Sequence, residues 1–110
     1  MSSSNVLTFT EQNFEQEVVQ ASWFVPVLVV FTATWAGRCR ELLPIVEKIA
    51  DNYQGKVKVG TLDIDGAPET TQRNGVKSVP TSIAFRGGSK VSIEPGLTSR
   101  EVLLSMLCLA

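Results

Sequence analysis

The residues Pro26-Val27-Leu28-Val29-Val30-Phe31 form an unbroken apolar run dominated by β-branched and aromatic side chains. No polar residue alternates within it, so neither side of the segment is designed to meet water. Such a run fits a central strand of a largely parallel sheet, whose two faces must both be covered by helices. The flanking segments supply them. Val6-Leu7-Thr8-Phe9 is a short β-prone stretch, after which the Thr10 hydroxyl offers an N-cap and Phe14, Val18 and Val19 predict a helix from Glu11 to about Ala21. Leu42, Leu43, Ile45, Val46, Ile49 and Tyr53 predict an amphipathic helix from about Gly37 to Tyr53, with Pro44 removing one backbone donor inside it. Val57, Val59 and Leu62 predict a strand ending at Asp63, and Pro68 to Arg73 a short helix stopped by Asn74-Gly75. Thr81–Phe85 and Lys90–Ile93 flank Arg86-Gly87-Gly88-Ser89, the signal of a β-hairpin. Thr98 or Ser99 caps a last helix carrying Val102, Leu103, Met106 and Leu107. The order βαβαβαββα predicts a mixed α/β sheet with helices on both faces, in a single domain spanning 1–110.

Composition narrows the chemistry. Ten basic and eleven acidic residues leave a net charge of -1, with no general field for a polyphosphate, so nucleic acid is not expected as a partner. The apolar stretch Trp23–Phe31 is too short to span a bilayer, and Ser2-Ser3-Ser4-Asn5 lacks the basic and apolar regions of a secretory signal. A cytoplasmic protein without a membrane partner is expected. Histidine is absent, which removes Ser-His and Cys-His nucleophile pairs and most zinc sites. Asp63, Asp65 and Glu69 read as a solvated strand end, not as a metal site, since the EF-hand ligand pattern is missing. Neither metal nor cofactor is expected. Two cysteines, Cys39 and Cys108, are too few for a disulfide framework.

The segment Ala33-Thr34-Trp35-Ala36-Gly37-Arg38-Cys39-Arg40, followed by Leu43-Pro44-Ile45, resembles the thioredoxin family, which carries Trp-Cys-Gly-Pro-Cys at the entrance to a helix. Leu62-Asp63-Ile64-Asp65 is similar to the family's third-strand end. Gly75-Val76-Lys77-Ser78-Val79-Pro80-Thr81 resembles its cis-proline loop, and Gly87-Gly88 and Gly96 its hairpin and last glycine. The resemblance implies the thioredoxin fold: about five strands, about four helices and a cis bond at Pro80. It also implies a groove lined by Trp35, Gly37, Arg38, Lys77, Val79, Pro80 and Gly96, where an extended protein or peptide segment pairs with the Val79 backbone. In that reading Trp35 lies partly buried against Asp63, Gly37 permits a tight backbone passage or serves a turn, and Gly96 keeps the groove open or serves a turn. Lys77 comes close to the helix start through the cis-proline loop.

The family's reaction uses two thiols, one to attack a substrate disulfide and one to resolve the mixed disulfide. The attacking position is Ala36; only Cys39 remains. The family's buried aspartate corresponds to Val30 and its companion lysine to Thr61. Losing one of a buried charged pair would cost about 3–5 kcal/mol, whereas losing both is close to neutral. Nucleophile, acid and base are thus missing together, which favours a divergent protein over a single substitution at position 36. Three readings stay open to the sequence. One is a redox-homeostasis protein whose lone thiol Cys39, aided by Arg38, forms mixed disulfides with glutathione or a partner. Another is a non-catalytic binding module using the groove. The third is a protein-disulfide reductase whose cysteine at position 36 was replaced by alanine. Cys39 itself is either a reactive thiol or a shielded one. Cys108 is either a packing residue or a thiol at a frayed helix end, and Trp23 an edge-packing residue. A monomer is expected.

Overall fold

In the computed structural model, which describes residues 5–109, the apolar run becomes strand β2, Val27–Thr32, at the centre of a five-stranded sheet. Its neighbours are β3, Lys58–Asp63, on one side and β4, Thr81–Arg86, on the other; β1, Val6–Phe9, and β5, Ser89–Pro95, form the two edges. β1, β3 and β2 run parallel, while β4 and β5 are antiparallel. The run from Val27 to Phe31 is fully buried because helices cover both sides. Leu28, Val30, Val59 and Ala84 face helix α1, Gly37–Asn52, and helix α3, Arg100–Met106, packing in one cluster with Leu42, Val46, Ile49, Leu103 and Leu107. Val27, Val29, Phe31, Ile83 and Phe85 face the other way, against Phe14, Val18, Leu62 and Ala67. Each large side chain so enclosed contributes about 1.5–3 kcal/mol to folding. Among the described residues no helix is long and apolar enough to cross a membrane. Residues 1–4, on which the reading of the N-terminal segment rests, and residue 110 lie outside those described.

Local chemistry explains where the elements stop. Gly87 and Gly88 take φ of 62° and 81°, the left-handed values a two-residue hairpin turn requires. A Cβ on Gly88 would stand 2.6 Å from the Trp23 indole nitrogen, so the turn and that ring fit together only because Gly88 has no side chain. Trp23 does pack at this edge, although it stays 69% exposed. Ser99 caps α3 by accepting from the Val102 amide at 3.2 Å, and Arg86 donates to the Leu107 carbonyl at 2.7 Å just beyond the other end. Helix α2, Pro68–Arg73, starts on a proline, and the Glu11 carboxylate accepts from its Glu69 amide at 2.6 Å.

The first helix departs from expectation. The Thr10 hydroxyl does accept from the Asn13 amide at 3.1 Å, and the Asn13 side-chain Oδ1 accepts in return from the Thr10 amide at 2.8 Å. Residues 11–13 form only a turn, however, and the helix that follows is π-wound over Glu15–Gln20 and 3₁₀ over Ala21–Trp23. The wider turn keeps Val19, five residues on from Phe14, on the core side, where α-winding would carry it away.

Candidate functional site

The end of β2 and the start of β4 meet at one end of the sheet, with Phe31 paired to Thr81. This register sets the loop Ala33–Ala36 beside Val79 and Pro80, whose peptide bond is cis. The Gly96 amide closes the arrangement by donating to the Pro80 carbonyl at 2.7 Å. Gly96 holds φ of 85°, and a Cβ there would meet nothing, so turn geometry explains this glycine. Pro80 is buried and Val79 half-buried, while Trp35, 67% exposed, stands over the surface.

Ala36 is the N-cap of α1, in extended geometry and with no side-chain cap. Cys39 follows in the first turn, its amide donating to the Ala36 carbonyl at 3.2 Å. Its side chain points inward and the residue is 3% exposed. Arg38 and Arg40, on either side of it in sequence, are exposed to solvent. Lys77 is likewise exposed, on the loop that leads to Pro80. None of these three cations makes a hydrogen bond or ion pair among the described residues.

Two expectations for this site are corrected. The partner of Trp35 is Asp65, whose Oδ2 accepts from the indole N–H at 2.9 Å. Asp63 instead accepts from the Asp65 amide at 3.0 Å, capping the 3₁₀ turn Ile64–Gly66 that presents Asp65. The pair Asp63-Ile64-Asp65 offered two carboxylates, and only the turn decides which one reaches the indole. Gly37 makes no tight passage: a Cβ there would find nothing within 4 Å, and its φ is not left-handed.

Beneath α1, Val30 lies in register with Thr61 on β3 and Ser82 on β4, so three adjacent strands present Thr-Val-Ser in one row. Val30 and Ser82 are both fully buried. The Ser82 hydroxyl meets no hydrogen-bond partner among the described residues, a feature no sequence pattern announced. An unpaired buried hydroxyl costs about 1–3 kcal/mol. Ser82→Ala is therefore expected to raise the thermal midpoint by a few degrees in a calorimetric or circular-dichroism melt; a lowered midpoint would show that the hydroxyl contributes to stability.

Cys108 is exposed, which settles it as a helix-end thiol and not a packing residue, and both cysteines are free. It lines a recess of about 570 Å³ between β5 and α3 that also includes Arg86, at the far end of β4 from Pro80. No group of three or more acidic or cysteine residues suited to a metal ion occurs among the described residues.

Comparison with known proteins gives a concordant result. The thioredoxin family model matches residues 5–108. The chain is 40% identical over 98 residues to "Thioredoxin 1" of Nostoc sp., covering 89% of this chain and 90% of that protein. It is 40% identical over 101 residues to the thioredoxin of Alicyclobacillus acidocaldarius, with 92% and 93% covered. With the thioredoxin of Pseudomonas aeruginosa the identity is 35% over 105 residues, with 96% and 95% covered.

Proposed function

The chain belongs to the thioredoxin family of redox-related proteins, and from that premise we propose that it holds an extended segment of a protein partner in the groove around Trp35, Val79, Pro80 and Gly96, without running a dithiol–disulfide cycle. The observation that carries this reading is the burial of Cys39 behind Ala36. Reduction of a disulfide by two electrons needs one thiolate to attack and a second to displace it. Here a methyl group occupies the first place. The remaining sulfur, on a residue only 3% exposed, has little surface at which a disulfide could approach in line. What stays accessible is the recognition surface: a largely exposed indole, oriented by Asp65, beside the loop that ends at Pro80.

Thiol reactivity and partner capture can be separated. The test uses a Cys108→Ser background, because Cys108 is the exposed thiol and would react on its own account. Oxidised glutathione is expected to leave the native protein's intact mass unchanged, while the denatured protein gains one adduct at Cys39. A Cys39→Ser variant is expected to retain partner capture undiminished. Rapid adduct formation at Cys39 in the native state, with capture lost in Cys39→Ser, would replace this reading with monothiol chemistry.

A further inference from the structure

The groove reading leaves open what kind of segment fits, and the charges around it narrow the answer. The first turn of α1 carries Arg38 and Arg40 and no acidic residue, although cations at a helix N-terminus oppose the helix dipole. Neither guanidinium has an ion-pair partner among the described residues, Glu41 beside them in sequence included. Lys77 adds a third exposed cation, an ammonium, from a different element, three residues before Pro80.

The nearby carboxylates Asp63 and Asp65 keep their charge but form no ion pair with these cations. Asp63 accepts from the backbone of its own turn, and Asp65 accepts from the Trp35 indole. These two carboxylates are thus held by internal donors. Among the described residues the three basic side chains have no hydrogen-bond or ion-pair partner, which leaves their donors to something outside the chain.

We propose that the occupant of the groove is an acidic extended peptide segment, in which a short apolar stretch lies against Trp35 and Pro80 and flanking Asp or Glu side chains meet Arg38, Arg40 and Lys77. This rests on the groove reading above and names its partner class. Arginine suits the task because its planar fork can hold a carboxylate with two parallel bonds. Exposed charge pairs of this kind act mainly on specificity and on the rate of encounter, and they weaken as salt screens them.

Three synthetic peptides sharing one apolar core and flanked by glutamate, serine or lysine test the idea by titration calorimetry. At low salt the glutamate-flanked peptide is expected to bind roughly tenfold or more tighter than the lysine-flanked one, with the serine-flanked peptide between them. Raising NaCl to about 0.5 M should shrink that ratio several-fold. Arg38→Glu/Lys77→Glu is expected to invert the order, and Arg38→Gln/Lys77→Gln to level it; both exchange exposed side chains, and a circular-dichroism melt checks that each variant folds. Equal affinities for all three peptides would overturn the charge preference while leaving the groove reading intact. Failure of all three to bind would overturn both.

Discussion

Ala36→Cys is expected to turn a protein that leaves insulin disulfides at the uncatalysed rate of reduction into one that accelerates it. The helix start is prepared for the change, although the buried acid and its companion base are still missing. Position 36 is the N-cap of α1, half-buried, directly after the exposed Trp35. A thiol there would sit at the positive end of the helix, near Arg38, where the thiolate is favoured. Cys39 lies three residues on, one helical turn away, at a separation a disulfide can span. The variant should therefore form an internal disulfide on mild oxidation, lowering its count of free thiols from three to one. Its turbidity rate in the insulin assay with dithiothreitol should exceed the parent's by about tenfold or more, a difference of at least about 1.4 kcal/mol in barrier. It should remain slower than a family member carrying the buried aspartate, because Val30 cannot accept a proton from Cys39. Two results would refute the account: a parent chain already active in this assay, or a variant that forms the disulfide readily yet stays at background.

The unevenness of what the sequence revealed has a physical pattern. β2 was readable because five consecutive buried residues leave no polar alternation to explain. The hairpin was readable because Gly87-Gly88 is a local solution to a local problem, two consecutive left-handed residues. Ser99 was readable as one of two adjacent caps, since capping involves only the next turn. Apart from Gly37, what the sequence left open or missed concerns geometry fixed by distant parts of the chain. Whether Asp63 or Asp65 reaches Trp35 depends on a 3₁₀ turn thirty residues downstream of the indole. Which of the two open readings of Cys39 holds, reactive or shielded, depends on how α1 docks on the sheet, not on its neighbours Arg38 and Arg40. The orphaned hydroxyl of Ser82 appears only when β4 is placed in register with Val30. The π-winding of Glu15–Gln20 answers to Phe14 and Val19 sharing one core, which no helical periodicity encodes.

Val30→Asp is expected to be the most destabilising single change at this site, and it tests why nucleophile, acid and base are absent together. Val30 is fully enclosed, packed with Leu42, Val46 and Ala84, and its neighbours across the sheet are Thr61 and Ser82. A carboxylate placed there would find no cation, since the position where the family carries lysine holds Thr61. An uncompensated charge in such a position costs about 3–5 kcal/mol. The Ser82 hydroxyl supplies one free donor, which places the expectation at the lower end, about 3 kcal/mol, with a thermal midpoint lowered by roughly 10 °C or more. The sign of its pH dependence follows from the burial. Desolvation raises the introduced carboxyl above its unfolded value of about 3.9. The variant's deficit relative to the parent should thus be smallest below about pH 4, where the group is protonated in both states. It should grow as the pH rises and level off once the pH passes the raised folded value. Val30→Asn, nearly the same shape but without charge, should show a smaller deficit that does not change with pH. Adding Thr61→Lys to Val30→Asp, which restores a partner on the adjacent strand, should recover part of the loss at neutral pH. If the Asp and Asn variants lose the same stability at every pH, the cost is one of lost packing. The paired absence of acid and base would then have no electrostatic reason.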